Sequence, residues 1–93
     1  MTATLVVPAA LRSSAGGLGR IPTQAATVAA ALDQLAQEWP QLERRLRDER
    51  GQLRRHVKLY LEADDISDLA GMATPLPDGS RLHIIPAVSG GLS

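Results

Sequence analysis

Any fold this chain adopts must accommodate an uncommon C-terminal order: a turn, an alternating strand, then paired glycines. Leu76-Pro77-Asp78-Gly79 is strong turn chemistry, with proline fixing φ and glycine supplying a positive one. From Arg81 the residues alternate. Leu82 and Ile84 fall on one side and Arg81, His83 and Ile85 on the other, the period of a strand with one buried face. Pro86 weakens strand pairing, because it has no N–H to donate and holds its predecessor extended. Ala87, Val88, Ser89, Gly90 and Gly91 follow, then Leu92-Ser93. The chain thus leaves its last strand and becomes smaller and looser. Glycine samples backbone regions closed to other residues, so Gly90-Gly91 forms a thin segment able to enter a channel too narrow for side chains. The bland reading is an ordinary chain end, since termini are often loose without purpose.

Upstream, Thr2 to Val7 reads as a first strand, rich in β-branched residues and ended by Pro8. Leu11 to Gly19 holds Ser13-Ser14, Gly16-Gly17 and Gly19, which is loop chemistry. It lacks the lysine and hydroxyl of a phosphate-binding loop and the glycine spacing of a dinucleotide fingerprint, so it reads as a hairpin connection. Arg20 to Thr23 is the antiparallel return strand. Thr27 can cap a helix. Val28, Ala31, Leu32, Leu35, Ala36 and Trp39 then recur on one helical face, with Pro40 ending the run and Trp39 expected in the core. A shorter helix follows over Gln41 to Asp48, with Leu42 and Leu46 inward and Gly51 as its breaker.

Seven of the ten basic residues lie between Arg44 and Lys58, with Glu43, Asp48 and Glu49 interspersed. A solvated surface, a docking patch for an acidic partner and a nucleic-acid contact all remain open. The last is weakest, because the run lacks stacking aromatics. Val57, Leu59 and Leu61 alternate with His56, Lys58, Tyr60 and Glu62 in a half-buried strand. Ala63-Asp64-Asp65 is expected to turn, Ile66 and Leu69 to return to the core, and Gly71 to Leu76 to hold a short strand. Periodicity alone gives an α+β domain.

Composition narrows the function. Ninety-three residues make one small domain, burying somewhat over ~60% of the surface of the unfolded chain. Trp39 and Tyr60 are the only aromatics, so the core is aliphatic. Ten basic residues balance ten acidic ones, against the basic excess of a dedicated nucleic-acid binder. There is no cysteine, hence no disulfide, zinc thiolate or thiol nucleophile. No run approaches the ~20 apolar residues of a membrane helix and the start lacks signal-peptide character, so no membrane role and a cytoplasmic location are expected. His56 and His83 have no metal-ligand spacing. Asp64, Asp65 and Asp68 lack a calcium-loop pattern and read as turn or helix-start acids. No catalytic side chain and no metal ligand stand out, which leaves the main chain as the site of any chemistry.

The tail from Asp78-Gly79 through Leu82, Ile84 and Pro86 to Ala87-Val88-Ser89-Gly90-Gly91 resembles the C-terminal signature of the bacterial ubiquitin-like sulfur carriers, the MoaD/ThiS-like family. Val57 to Ile66 resembles the family's central strand and turn, although Ala63-Asp64-Asp65 stands where Asn-Gly is common. The loop from Leu11-Arg12 to Gly16-Gly17 is most similar to the cysteine-synthesis branch. The resemblance implies a β-grasp (ubiquitin-like) fold: a mixed sheet, first and last strands parallel at its centre, and one main helix packed across it. It divides the chain into a domain over 1–88 and a flexible Gly-Gly tail over 89–93.

The resemblance further implies that an E1-like adenylating enzyme uses ATP to activate the Gly91 carboxylate, which becomes a thiocarboxylate. No cofactor is bound by the carrier itself. Val88, Ser89 and Gly90 would be recognised in the tail, and a sulfur-accepting synthase would take the sulfur for cysteine or another thio-metabolite. The small subunit of molybdopterin synthase and a ubiquitin-like modifier conjugated through Gly91 are the alternatives. Leu92-Ser93 departs from the family's working form, since Gly91 is then held in a peptide bond. Either those residues are not native, or the chain is a precursor cut between Gly91 and Leu92, a task for a JAMM-type zinc metalloprotease.

Overall fold

A computed structural model describes residues 2–86. Its sheet has five strands: β1 (Ala3–Val6), β2 (Arg20–Thr23), β3 (Val57–Leu61), β4 (Asp64–Asp65) and β5 (Arg81–Pro86). They lie in the order β2-β1-β5-β3-β4. β1 and β5 run parallel at the centre, with Leu5 opposite Leu82, and the other three pairings are antiparallel. The expected mixed sheet is therefore present. The expected boundary between 88 and 89 lies outside the described residues.

A parallel pair cannot be closed by a tight turn and needs a crossover, here carrying α1 (Val28–Glu38) and α2 (Pro40–Leu46). Thr27 caps α1, its Oγ1 accepting from the Ala30 N–H at 3.2 Å. Trp39 joins the helices: its N–H donates to the Leu35 carbonyl at 2.7 Å, and its carbonyl accepts from Leu42 and Glu43. Pro40 opens α2, where a missing N–H costs nothing. Val28, Ala31, Leu32 and Leu35 of α1 and Leu42 and Leu46 of α2 meet Leu5, Leu59, Leu82 and Ile84 in one aliphatic core. Trp39 is half-buried against that core. A clamp closes the start of β5: the Thr2 N–H donates to Asp78 at 2.7 Å, and the Gly79 N–H donates to the Thr2 carbonyl at 2.7 Å.

Five local expectations are corrected. The Leu11–Gly19 connection contains a 3-10 helix over Ala9–Ala15 that buries Leu11 and Ala15. It ends at Gly16, whose φ is +63° and where a Cβ would lie 2.9 Å from Cη2 of Trp39. The second helix stops at Leu46, because Arg47 turns extended and the Asp48 carboxylate accepts from the N–H groups of Arg50 and Gln52. The turn after β3 is Glu62-Ala63, with Glu62 at φ 54°, and Asp64–Asp65 pairs as a strand instead of turning. Leu69 is 44% exposed instead of returning to the core. Gly71–Ala73 is a 3-10 helix and no strand. There Thr74 Oγ1 donates to the Gly71 carbonyl and accepts from the Ala70 N–H, satisfying locally what a ladder would use.

Two stability predictions follow from this packing. Leu82→Ala, at a fully buried central position, should cost about 2–5 kcal/mol in urea denaturation. Gly16→Ala should cost about 1–3 kcal/mol from backbone strain alone and more through Trp39. Gly17→Ala, at φ +86° with open space around it, should show the smaller loss of the two.

Candidate functional site

The chemistry expected of the tail must be presented by whatever holds Pro86. On one side of β5 the pairing with β1 ends at His83, while on the other β3 continues to pair Val57 with Pro86. Leu82 and Ile84 anchor the strand in the core, so its exit is held on a packed base. The expected site residues Val88, Ser89, Gly90, Gly91 and Leu92 lie outside the described residues. Covalent geometry still bounds them: Gly91 is the fifth residue after Pro86, a span of at most about 18 Å.

An open cleft of about 430 Å³ lies against Pro86. Leu11 and Val57 contribute to its lining together with Arg44, Arg45, Arg54 and His56. Arg54 is fixed there by two bonds to the end of α2. Its Nε donates to the Arg44 carbonyl at 2.7 Å and its backbone N–H to the Leu46 carbonyl at 2.9 Å. Those carbonyls form the partly negative end of a helix, where a cation is favoured.

The structure divides the basic run into ion-paired and unpaired members. Arg47, with its side chain 10% exposed, is ion-paired with Asp33 at 3.0 Å and Glu43 at 2.7 Å. Arg50 lines a second, larger cleft with Asp48 and Glu49. Lys58 lies 3.9 Å from Asp65. Among the described residues, Arg44, Arg45, Arg50, Arg54 and Arg55 have no carboxylate within ion-pair distance, and Arg44 and Arg54 line both clefts. The sequence shows the run but not this partition, which depends on which face of α2 each arginine takes.

No group of three histidine, aspartate or glutamate side chains among the described residues is placed to hold a metal ion. Asp65 instead caps the 3-10 turn over Ile66–Asp68, accepting from the Ser67 N–H and hydroxyl at 2.9 Å each. Tyr60 and His83 are cross-strand partners, and His56 is exposed at the cleft. No described helix is long and apolar enough to cross a membrane.

Two carboxylates carry a pH signature. The Gln52 N–H, and after it the Arg50 N–H and charge, hold Asp48 below its ordinary 3.8. The Ser67 N–H and hydroxyl hold Asp65 below the same value. A carboxylate depressed in the folded state stabilises the fold above 3.8, and that contribution disappears as pH falls through the lowered folded value. Asp48→Asn with Asp65→Asn keeps side-chain acceptors but removes both titrations. The double variant should therefore lose less of its urea midpoint than the wild type on acidification below 3.8; equal losses would contradict the assignment.

Comparison with known proteins bears on this geometry. The ThiS family matches residues 5–91. Over 93 residues the chain is 32% identical to the sulfur carrier protein CysO of Mycobacterium tuberculosis, covering 98% of this chain and all of that protein. It superimposes with a TM-score of 0.87 on a chain from the crystal structure of the Amycolatopsis orientalis BexX/CysO complex, at 30% identity over 96% of this chain and 99% of that one. The small archaeal modifier protein 1 of Methanosarcina acetivorans superimposes at 0.82, with 27% identity over 97% of this chain and 96% of that one. These neighbours, together with the sheet order and packed helix, make the fold a β-grasp.

Proposed function

The chain belongs to the ThiS family, and from that premise we propose that it is a sulfur carrier activated at Gly91. One observation carries the reading: the family match extends to 91, through the paired glycines to the residue whose main chain would do the work. The chain acts as a co-substrate in the cytoplasm and brings no catalytic side chains of its own.

The steps follow from carbonyl chemistry. With Leu92 attached, the Gly91 carbonyl is an amide, so a peptidase first hydrolyses that bond and leaves a carboxylate. A JAMM-type metalloprotease suits this cut. A carboxylate is a poor electrophile. One of its oxygens attacks the α-phosphorus of ATP on an E1-like adenylating enzyme, pyrophosphate departs, and an acyl-adenylate forms. A sulfide-level nucleophile then adds to the acyl carbon, and the bond to AMP breaks. The product is the thiocarboxylate at Gly91, which a sulfur-accepting synthase consumes. Likeness to the sulfur carrier CysO favours cysteine assembly as the destination. ATP is bound by the partner and not by the carrier. Glycine at 90 and 91 suits this route because a narrow channel can admit backbone without side chains.

The likeness to small archaeal modifier protein 1 favours a second reading, in which the activated Gly91 is transferred to lysine amines. Amide-linked conjugates in the native host would separate it from carriage alone.

The test compares a form ending at Gly91 with the form ending at Ser93. Each is incubated with the host's adenylating enzyme, ATP and sulfide, and read by intact mass. The Gly91 form should exchange one oxygen for sulfur and the Ser93 form should stay unchanged. A Gly91 form that never acquires sulfur while the enzyme turns over ATP would overturn the proposal.

A further inference from the structure

The ten basic and ten acidic residues balance over the chain but not at the point where the tail begins. The cleft against Pro86 is lined by Arg44, Arg45, Arg54 and His56, and by no acidic residue. The neighbouring, larger cleft shares Arg44 and Arg54 with it and adds Asp33, Glu43, Asp48 and Glu49. A charge run spread for solubility would intersperse both signs on both faces. Here the acids line the adjoining cleft, and the lining against Pro86 carries a single sign, with Arg45 and His56 lining the Pro86 cleft and not the adjoining one.

The tether makes that location consequential. Gly91 can lie no more than about 18 Å from Pro86. A partner that encloses Gly91 must therefore bring its own surface against the ground around Pro86. That ground is cationic. It is also open: Arg44 and Arg45 are exposed, and nothing there is a buried, unpartnered polar group of the kind that would hold a small anion. An exposed cluster of one sign at an interface edge steers association with a surface of opposite sign.

We infer that Arg44, Arg45 and Arg54 form a steering surface for an acidic rim around the channel through which the adenylating enzyme receives the tail. This rests on the carrier reading above and adds to it the face of the body that docks and the charge of the partner. Arg54, tied to the end of α2, keeps the cluster oriented, while Arg44 and Arg45 supply charge with no carboxylate within ion-pair distance among the described residues.

The experiment measures association and dissociation rates of the Gly91-ending protein with the immobilised adenylating enzyme of the same host, at low and high salt. Arg44→Ala with Arg45→Ala is compared with Arg50→Ala with Arg81→Ala, which removes the same net charge elsewhere; circular dichroism and thermal melts confirm that both fold. The first pair should slow association about tenfold at low salt, change dissociation much less, and approach the wild type at high salt. Arg44→Lys with Arg45→Lys should restore the rate. Equal slowing by both alanine pairs would reduce the effect to net charge and overturn the inference, as would an unchanged association rate. Wild-type slowing by inorganic phosphate at constant ionic strength would mark a small-anion site and overturn the acidic-protein assignment. Wild-type protein that associates in this charge-dependent way but never gains sulfur would support this surface while overturning the carrier reading.

Discussion

The parallel pairing of β1 with β5 is the constraint from which the rest of the molecule follows. Parallel neighbours cannot be joined locally, so the chain between them must cross the sheet, and α1 and α2 are that crossing. Their apolar stripe covers one face of the sheet, and in a chain with two aromatics the cover has to be aliphatic. Because the central strand is also the last one described, both of its neighbours are in place on either side of it. Leu82 and Ile84, at 0% and 1% exposure, anchor that strand in the core, and beyond His83 its C-terminal end is paired by β3 alone. A tail starting from that strand starts from a defined place and direction.

That arrangement separates two jobs. The reactive atom proposed here belongs to the main chain, so the folded body needs no catalytic side chain; its work is to deliver Gly91 and be recognised while doing so. The distribution of charge fits such a division. Arg47 is consumed structurally, tying α2 to Asp33 of α1. Arg54 is consumed in part, closing the end of α2. Arg44 and Arg45 have no such duty among the described residues and face the cleft at the strand's exit.

Much of this was legible in the sequence wherever one signal dominated. The α1 stripe, the Thr27 cap, Pro40 and the alternation of β3 and β5 all rest on periodicity or on a residue with a single physical role. Two of the misses share a cause: short-range side-chain bonds that periodicity does not see. Asp48 ends α2 early, and Thr74 folds its own neighbourhood into a 3-10 turn. β4 is two residues long, and no alternation can be read over two residues. Leu69 directly follows the Asp65-capped 3-10 turn and is 44% exposed. At the candidate site, the glycines and Pro86 are what the sequence offers for the proposed chemistry, while the placing of the arginines required the fold, since α2 and the segment after it had to be placed first.

The account turns on the main chain at Gly91 being freed and then carrying sulfur. The most direct measurement is the intact mass of the untagged protein isolated from its native host. The account predicts loss of Leu92-Ser93 together with replacement of one oxygen by sulfur. A full-length mass, unchanged under conditions in which the host makes its sulfur metabolites by this route, would contradict it.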